Sequence, residues 1–154
     1  MGESGQAPRI APLVAPSPLL TEAIDPDRVT ELRHILAERL HAAGLIGQPL
    51  DDFVLAVNEL LTNVVRHGGG SGRLQVWRDG PAVACEVSDR GPGLGAEHLG
   101  RHDRPAPGTV GGWGLWLANR LSDSMAVWTS PAGTTVRLTA TLPQQVPAAR
   151  DPIE

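Results

Sequence analysis

The spacing of apolar residues changes from three-and-four to two across one glycine run, and this switch constrains the fold more than any other feature. From Pro49 to His67, the residues Phe53, Val54, Val57, Leu60, Leu61 and Val64 recur at helical spacing, and Gly68-Gly69-Gly70 then ends the segment. Beyond the glycines Leu74 and Val76 share one parity, Asp79-Gly80 is a hairpin signal, and Val83, Cys85 and Val87 alternate with Ala84 and Glu86. A long amphipathic helix is thus followed by two antiparallel strands. Each has one apolar face, and the economical solution is to bury one face against the other.

The flanking sequence extends this pattern. Leu19, Leu20, Ala23 and Ile24 read as a short edge strand. Asp25-Pro26-Asp27 is a helix start, with Asp25 as cap and Pro26 where a missing N–H costs nothing. Val29, Leu32, Leu36, Leu40 and Ala43 then mark a first helix that Gly44 closes in the left-handed conformation. After Asp89 the chain is rich in Gly, Pro, His and Arg as far as Gly112, a long loop of the kind that carries function or lacks order. Gly114 to Leu121 reads as a helix and Met125 to Thr129 as a strand. The turn Pro131-Ala132-Gly133 leads into Val136, Leu138, Ala140 and Leu142, alternating with Arg137, Thr139 and Thr141. The expected fold class is α/β, a two-layer sandwich of a mainly antiparallel sheet with helices on one face. Residues 1–18 and 144–154 are expected to be flexible tails around one domain over 19–143, and 154 residues leave no space for a second.

Composition removes whole classes of chemistry. All 13 positive residues are arginine, so mechanisms that need a phosphate-loop lysine, a Schiff-base lysine or a kinase-type lysine are excluded. A net charge of −4 gives no overall footprint for direct nucleic-acid binding. No apolar run reaches the roughly 20 residues of a membrane span, and the lone Cys85 suits a reducing compartment, so no membrane association and a cytoplasmic location are expected. Cys85 reads as a small buried hydrophobe, because no partner for a nucleophile is evident. His98 and His102 lie four apart but in a Gly/Pro-rich segment without further ligands, which argues against a metal site.

Three clusters remain. Glu59, Asn63 and His67 form a polar stripe at i, i+4, i+8; spacing alone favours a solvated face, and the functional reading is a carboxylate base beside an amide oxygen able to hold a hard cation. Asp89 shares the parity of Val83, Cys85 and Val87 and so projects toward the apolar layer, where a carboxylate needs a partner. With Gly91 and Gly93 beside it, it suits an exocyclic amine, although Asp-x-Gly-x-Gly is also an ordinary turn. Gly111-Gly112-Trp113-Gly114 before a helix is either a plain loop or a set of N–H donors for phosphates.

Taken together and in order, Glu59-x-x-x-Asn63-x-x-x-His67, Asp89-x-Gly91-x-Gly93, Gly112-x-Gly114-Leu115 and Gly133-Thr134-Thr135-Val136 resemble the four nucleotide-binding boxes of the gyrase, heat-shock 90, histidine kinase and MutL ATPase superfamily, the Bergerat ATP-binding fold. Within it, Val57-Asn58-Glu59-Leu60-Leu61-Thr62-Asn63 and Gly133-Thr134-Thr135-Val136 resemble the stand-alone anti-sigma-factor serine/threonine kinases of Gram-positive bacteria. The likeness covers residues 25–142.

The resemblance implies an ATP/ADP site in which Asn63 holds Mg²⁺, Glu59 is the general base toward a serine hydroxyl and Asp89 recognises the adenine amine. It implies further that Gly91 and Gly93 shape the adenine side, Gly112 and Gly114-Leu115 form the phosphate box, and residues 95–111 act as lid. Thr134 would support adenine, and is preferred to Thr135 because it shares the parity of Val136 and Leu138. The implied partners are an anti-anti-sigma protein as acceptor, a sigma factor that is sequestered, and a second copy in a homodimer. Well-known members carry an arginine where this chain has Val110. Arg101 and Arg104 either take over that charge or belong to a solvated loop. The alternative reading is a nucleotide-binding interaction module with little or no kinase activity.

Overall fold

The computed structural model describes residues 18–67, 69–90 and 113–143. Both expected tails apart from Pro18, the 95–111 segment with His98, His102, Arg101, Arg104 and Val110, and also Gly91, Gly93 and Gly112 lie outside the described residues.

The chain begins with β1 (Leu20–Ile24) and a 3-10 turn (Pro26–Arg28). Asp25 is extended at φ −150° and its carboxylate accepts from the Asp27 N–H at 2.9 Å, so the cap read from the sequence starts a 3-10 turn before the α-helix proper. Helix α1 (Val29–Ala42) buries Leu32, Leu36 and Leu40 completely. It ends where Gly44 at φ +110° donates to the His41 carbonyl and Leu45 donates to the Leu40 carbonyl, both at 3.0 Å, with the Leu45 side chain turned into the core. Helix α2 (Gly47–His67) starts two residues before Pro49, because a proline in the first turn removes only an N–H that has no helical partner. Its face of Phe53, Ala56, Val57, Leu60, Leu61 and Val64 is buried.

Strands β2 (Gly72–Asp79) and β3 (Ala82–Asp89) form the expected hairpin, with Gly80 at φ +61° supplying the positive φ of its two-residue turn. Helix α3 (Trp113–Arg120), β4 (Ser124–Ser130) and β5 (Gly133–Thr141) complete the domain. The sheet order is β1-β2-β3-β5-β4 and every pairing is antiparallel. β5 therefore returns to lie against β3, leaving β4 at the edge. The helices cover one face, where Leu74, Val76, Val83, Cys85, Val87, Val136, Leu138 and Ala140 join the α1 and α2 apolar residues in a single core.

Cys85 is fully buried, and desolvation first, then the neighbouring Glu86 charge, pushes its thiol far above the ordinary range. It belongs to the core and is no nucleophile.

The opposite face of the sheet carries a cluster that the sequence reading did not pick out. Arg137 on β5 lies directly across from Glu86 on β3, and its Nε and Nη2 donate to Glu86 Oε2 at 2.9 and 2.7 Å. The guanidinium carbon sits 5.3 Å from the Trp77 ring centroid on β2 and 5.7 Å from that of Trp128 on β4. One arginine thus ties four strands together, with only 19% of its own side chain and 15% of that of Glu86 exposed. Replacing it strands a largely buried carboxylate.

Arg137→Ala is accordingly expected to lower unfolding free energy by about 2–3 kcal/mol. Arg137→Lys should recover less than half, because an ammonium group cannot donate twice to Glu86 while stacking on two rings. Urea denaturation of the three proteins measures both. A thiol reagent added to the native protein should label Cys85 at the rate of global unfolding, so that labelling and unfolding share one denaturant midpoint.

Candidate functional site

Burial of Phe53, Val57, Leu60 and Val64 sets the rotation of α2, which turns Glu59 and Asn63 to the flank facing α3. Both are half-buried there, one turn apart. Gly114, the second residue of α3, packs directly on them: a Cβ at this position would lie 3.3 Å from Glu59 Oε1, 3.3 Å from Asn63 Oδ1 and 3.4 Å from Asn63 Nδ2. The missing side chain is what lets the start of α3 approach a carboxylate and a carboxamide. Leu115 and Ala118 anchor α3 in the core, so Leu115 can offer a ligand only its backbone. His67, the third member of the stripe, is exposed at the helix end.

A second group of residues forms at the ends of β2, β3 and β5. Asp89 is opposite Gly72 on one side and Thr134 on the other, and is half-buried on the helix-facing side of the sheet. A Cβ at Gly133, at φ +148°, would overlap the Asp89 carbonyl oxygen, and one at Gly72 would overlap the Ser88 carbonyl oxygen. These two glycines bring the backbone of both neighbouring strands close around Asp89. Thr134 is 5% exposed, and its hydroxyl lies 2.9 Å from that of Thr129 on β4. Thr135 points to the opposite face of the sheet.

The two groups share one turn of α2. Val64 Cγ1 would be 3.2 Å from a Cβ at Gly72, the ladder partner of Asp89, whereas Asn63, the preceding residue, touches Gly114. A carboxylate and carboxamide at a helix start therefore flank the same helical turn as a sheet-end carboxylate and the buried Thr134. Among the described residues no cluster of three or more His, Cys, Asp or Glu side chains exists. A hard cation held by Asn63 and Glu59 oxygens would accordingly complete its shell from a ligand and water. Nor is any described helix long and apolar enough to cross a membrane.

The chain matches the family described as histidine kinase-like ATPase domain over residues 23–140. No curated protein sequence matches it. It is similar to the structure of the RsbU and RsbW domains of Rv1364c from Mycobacterium tuberculosis, with 25% identity and a TM-score of 0.61 over 82% of this chain. That match spans 33% of the tuberculosis chain. The SiaB–SiaC complex from Pseudomonas aeruginosa shares the fold at 14% identity and a TM-score of 0.56, covering 81% of this chain and 91% of that one. The mycobacterial sensor histidine kinase MprB does so at 19% identity and a TM-score of 0.51, covering 81% of this chain and 100% of that one.

The close approaches give two opposed outcomes for the same substitution. Gly133→Ala forces a side chain into the Asp89 backbone at a positive φ and is expected to cost about 2–4 kcal/mol. Gly114→Ala should stay within about 1 kcal/mol of the parent, since alanine favours the helix by about as much as the contact disfavours it. It should nevertheless displace Asn63, seen as a shift of the Asn63 side-chain amide resonances while the unfolding midpoint hardly moves.

Proposed function

This chain belongs to the histidine kinase-like ATPase domain family, and on that footing we propose that it is an ATP-binding anti-sigma regulatory factor. In this reading it phosphorylates a serine or threonine of an anti-anti-sigma partner and, as a homodimer, sequesters a sigma factor. The observation that supports the proposal is the contact of Gly114 with Glu59 and Asn63, a carboxylate and a carboxamide at the start of α3. Likeness to a structure of RsbU and RsbW domains supports the regulatory context. The sigma factor, the acceptor and the dimer rest on the motif resemblance.

The donor set fits Mg²⁺, a cation that takes few protein oxygens and keeps phosphate and water ligands. Asn63 is the residue that would hold it, and Gly114 leaves space at that point which a side chain would fill. Bound there, the cation supplies neutralisation of phosphate charge. Glu59 accepts the proton of the acceptor hydroxyl as its oxygen bonds to the γ-phosphorus and the bond to the departing ADP oxygen breaks. The carboxylate of Asp89 accepts a hydrogen bond from the adenine amine, and Thr134 lies beside it in the ladder. No lysine takes part, which agrees with a chain that contains none.

Calorimetric titration of Mg-ATP and Mg-ADP is expected to show saturable binding that weakens at least about tenfold in Asn63→Ala, a loss of one charge-assisted ligand. In a transfer assay with the acceptor protein, Glu59→Ala should lower the rate by at least about 100-fold and leave nucleotide affinity within about threefold. Full transfer by Glu59→Ala would refute the base assignment. Nucleotide binding without transfer in the parent protein would instead make the chain a nucleotide-binding interaction module, and no binding at millimolar nucleotide would remove the site.

A further inference from the structure

The two edges of the sheet differ in how they are protected. At β1 the Leu19 carbonyl accepts from Arg39 Nη1 at 2.6 Å, the Ala23 carbonyl accepts from Arg28 Nη1 at 3.2 Å, and Glu22 places a charge within a strand of five residues. Capped carbonyls, an in-strand charge and short length all keep a strand edge from pairing with another chain. β4 has none of these. Its seven residues, Ser124 to Ser130, include no charged residue, no proline and no glycine. Among the described residues no strand pairs with β4 on the side away from β5. The adjoining acid, Asp123, is turned back onto β5, where its carboxylate accepts from the Thr141 N–H at 2.6 Å. Met125, Val127 and Trp128 all remain partly exposed, which a further strand would relieve. Such an edge is a template for one more strand.

The sequence of β4 fits its own copy. A strand paired with itself across a two-fold axis runs antiparallel and keeps its faces. Only an axis at Val127 matches all seven residues. It sets Val127 against its counterpart, the small Ala126 against the partner's Trp128, Met125 against the partner's Thr129, and Ser124 against the partner's Ser130. Large side chains then meet small ones and no like charges meet. The segments outside the described residues are poorer occupants, because proline cannot donate to a ladder and recurs at Pro8, Pro12 and Pro16, at Pro105 and Pro107, and at Pro147 and Pro152. We propose that two copies of this chain associate through β4, with Val127 on the two-fold axis and the two sheets joined into one antiparallel sheet. The inference rests on the homodimer of the preceding reading and assigns that dimer its surface and register.

The test uses the full chain. Light scattering after size exclusion should give the parent the mass of a dimer. On mild oxidation Val127→Cys should form a disulfide-linked dimer, because directly opposed residues of an antiparallel pair have Cα atoms about 4.5–5.5 Å apart, within disulfide range. Ala126→Cys should not, since its counterpart lies two residues out of register at about 8 Å. Nor should the parent, whose lone Cys85 is buried. Ser124 and Ser130 are exposed, so charges are tolerated there by the fold, as unfolding midpoints would verify. Ser124→Lys with Ser130→Lys sets like charges opposite each other at both ends of the pair and should weaken dimerisation about fivefold or more. Ser124→Lys with Ser130→Glu sets opposite charges there and should dimerise at least as well as the parent. A parent dimer in which Val127→Cys does not cross-link, or in which the two charge variants dimerise alike, overturns this surface and leaves the homodimer standing. A monomeric parent overturns both.

Discussion

The rotational setting of α2 about its own axis is the constraint on which the rest depends. Phe53, Val57, Leu60 and Val64 must face the sheet, and in a helix that choice assigns every other position to a flank. Glu59 and Asn63 are carried to the side where α3 packs, and Val64 to the side where the strand ends meet. A functional stripe on this helix needs no separate positioning device. The hydrophobic burial that folds the domain also aims it.

The contacts that secure the sheet and the groups proposed for chemistry occupy opposite faces of the same strands. Arg137, Glu86, Trp77 and Trp128 fasten four strands on the side away from the helices. Asp89 and Thr134 occupy the side that faces them. Alternation along a strand makes this division possible, because neighbours such as Val136 and Arg137 point to opposite faces without competing. A single cation held by two rings and a carboxylate stiffens the sheet beneath the Asp89 row while leaving its other face clear.

Much of the fold was legible in residue order. The helical spacing of Phe53 to Val64, the period of two on either side of Gly80, and the Asp25 and Gly44 boundary signals all report geometry confined to one element, and each element formed where those signals stood. The candidate site was legible in part. Parity predicted that Asp89 and Thr134 share the helix-facing side, and spacing predicted that Glu59 and Asn63 share a flank. His67 carried the same spacing but is exposed at the end of α2. Thr129 and Arg137 carried no signal of their own, since an isolated threonine or arginine on a strand looks like any solvated residue.

By itself the sequence determined the elements, their apolar faces and the residue types available for chemistry, since periodicity and capping are consequences of backbone geometry within a few residues. Tertiary structure alone decided which elements adjoin. β5 lies between β3 and β4, so Thr134 acquires Asp89 on one side and Thr129 on the other, and Arg137 reaches Glu86 and two tryptophans. No local signal encodes that order, because strand neighbours are selected by the common burial of faces distant in the chain, and only when that burial is complete do side chains 51 residues apart come within hydrogen-bonding distance, as Glu86 and Arg137 do at 2.7 Å.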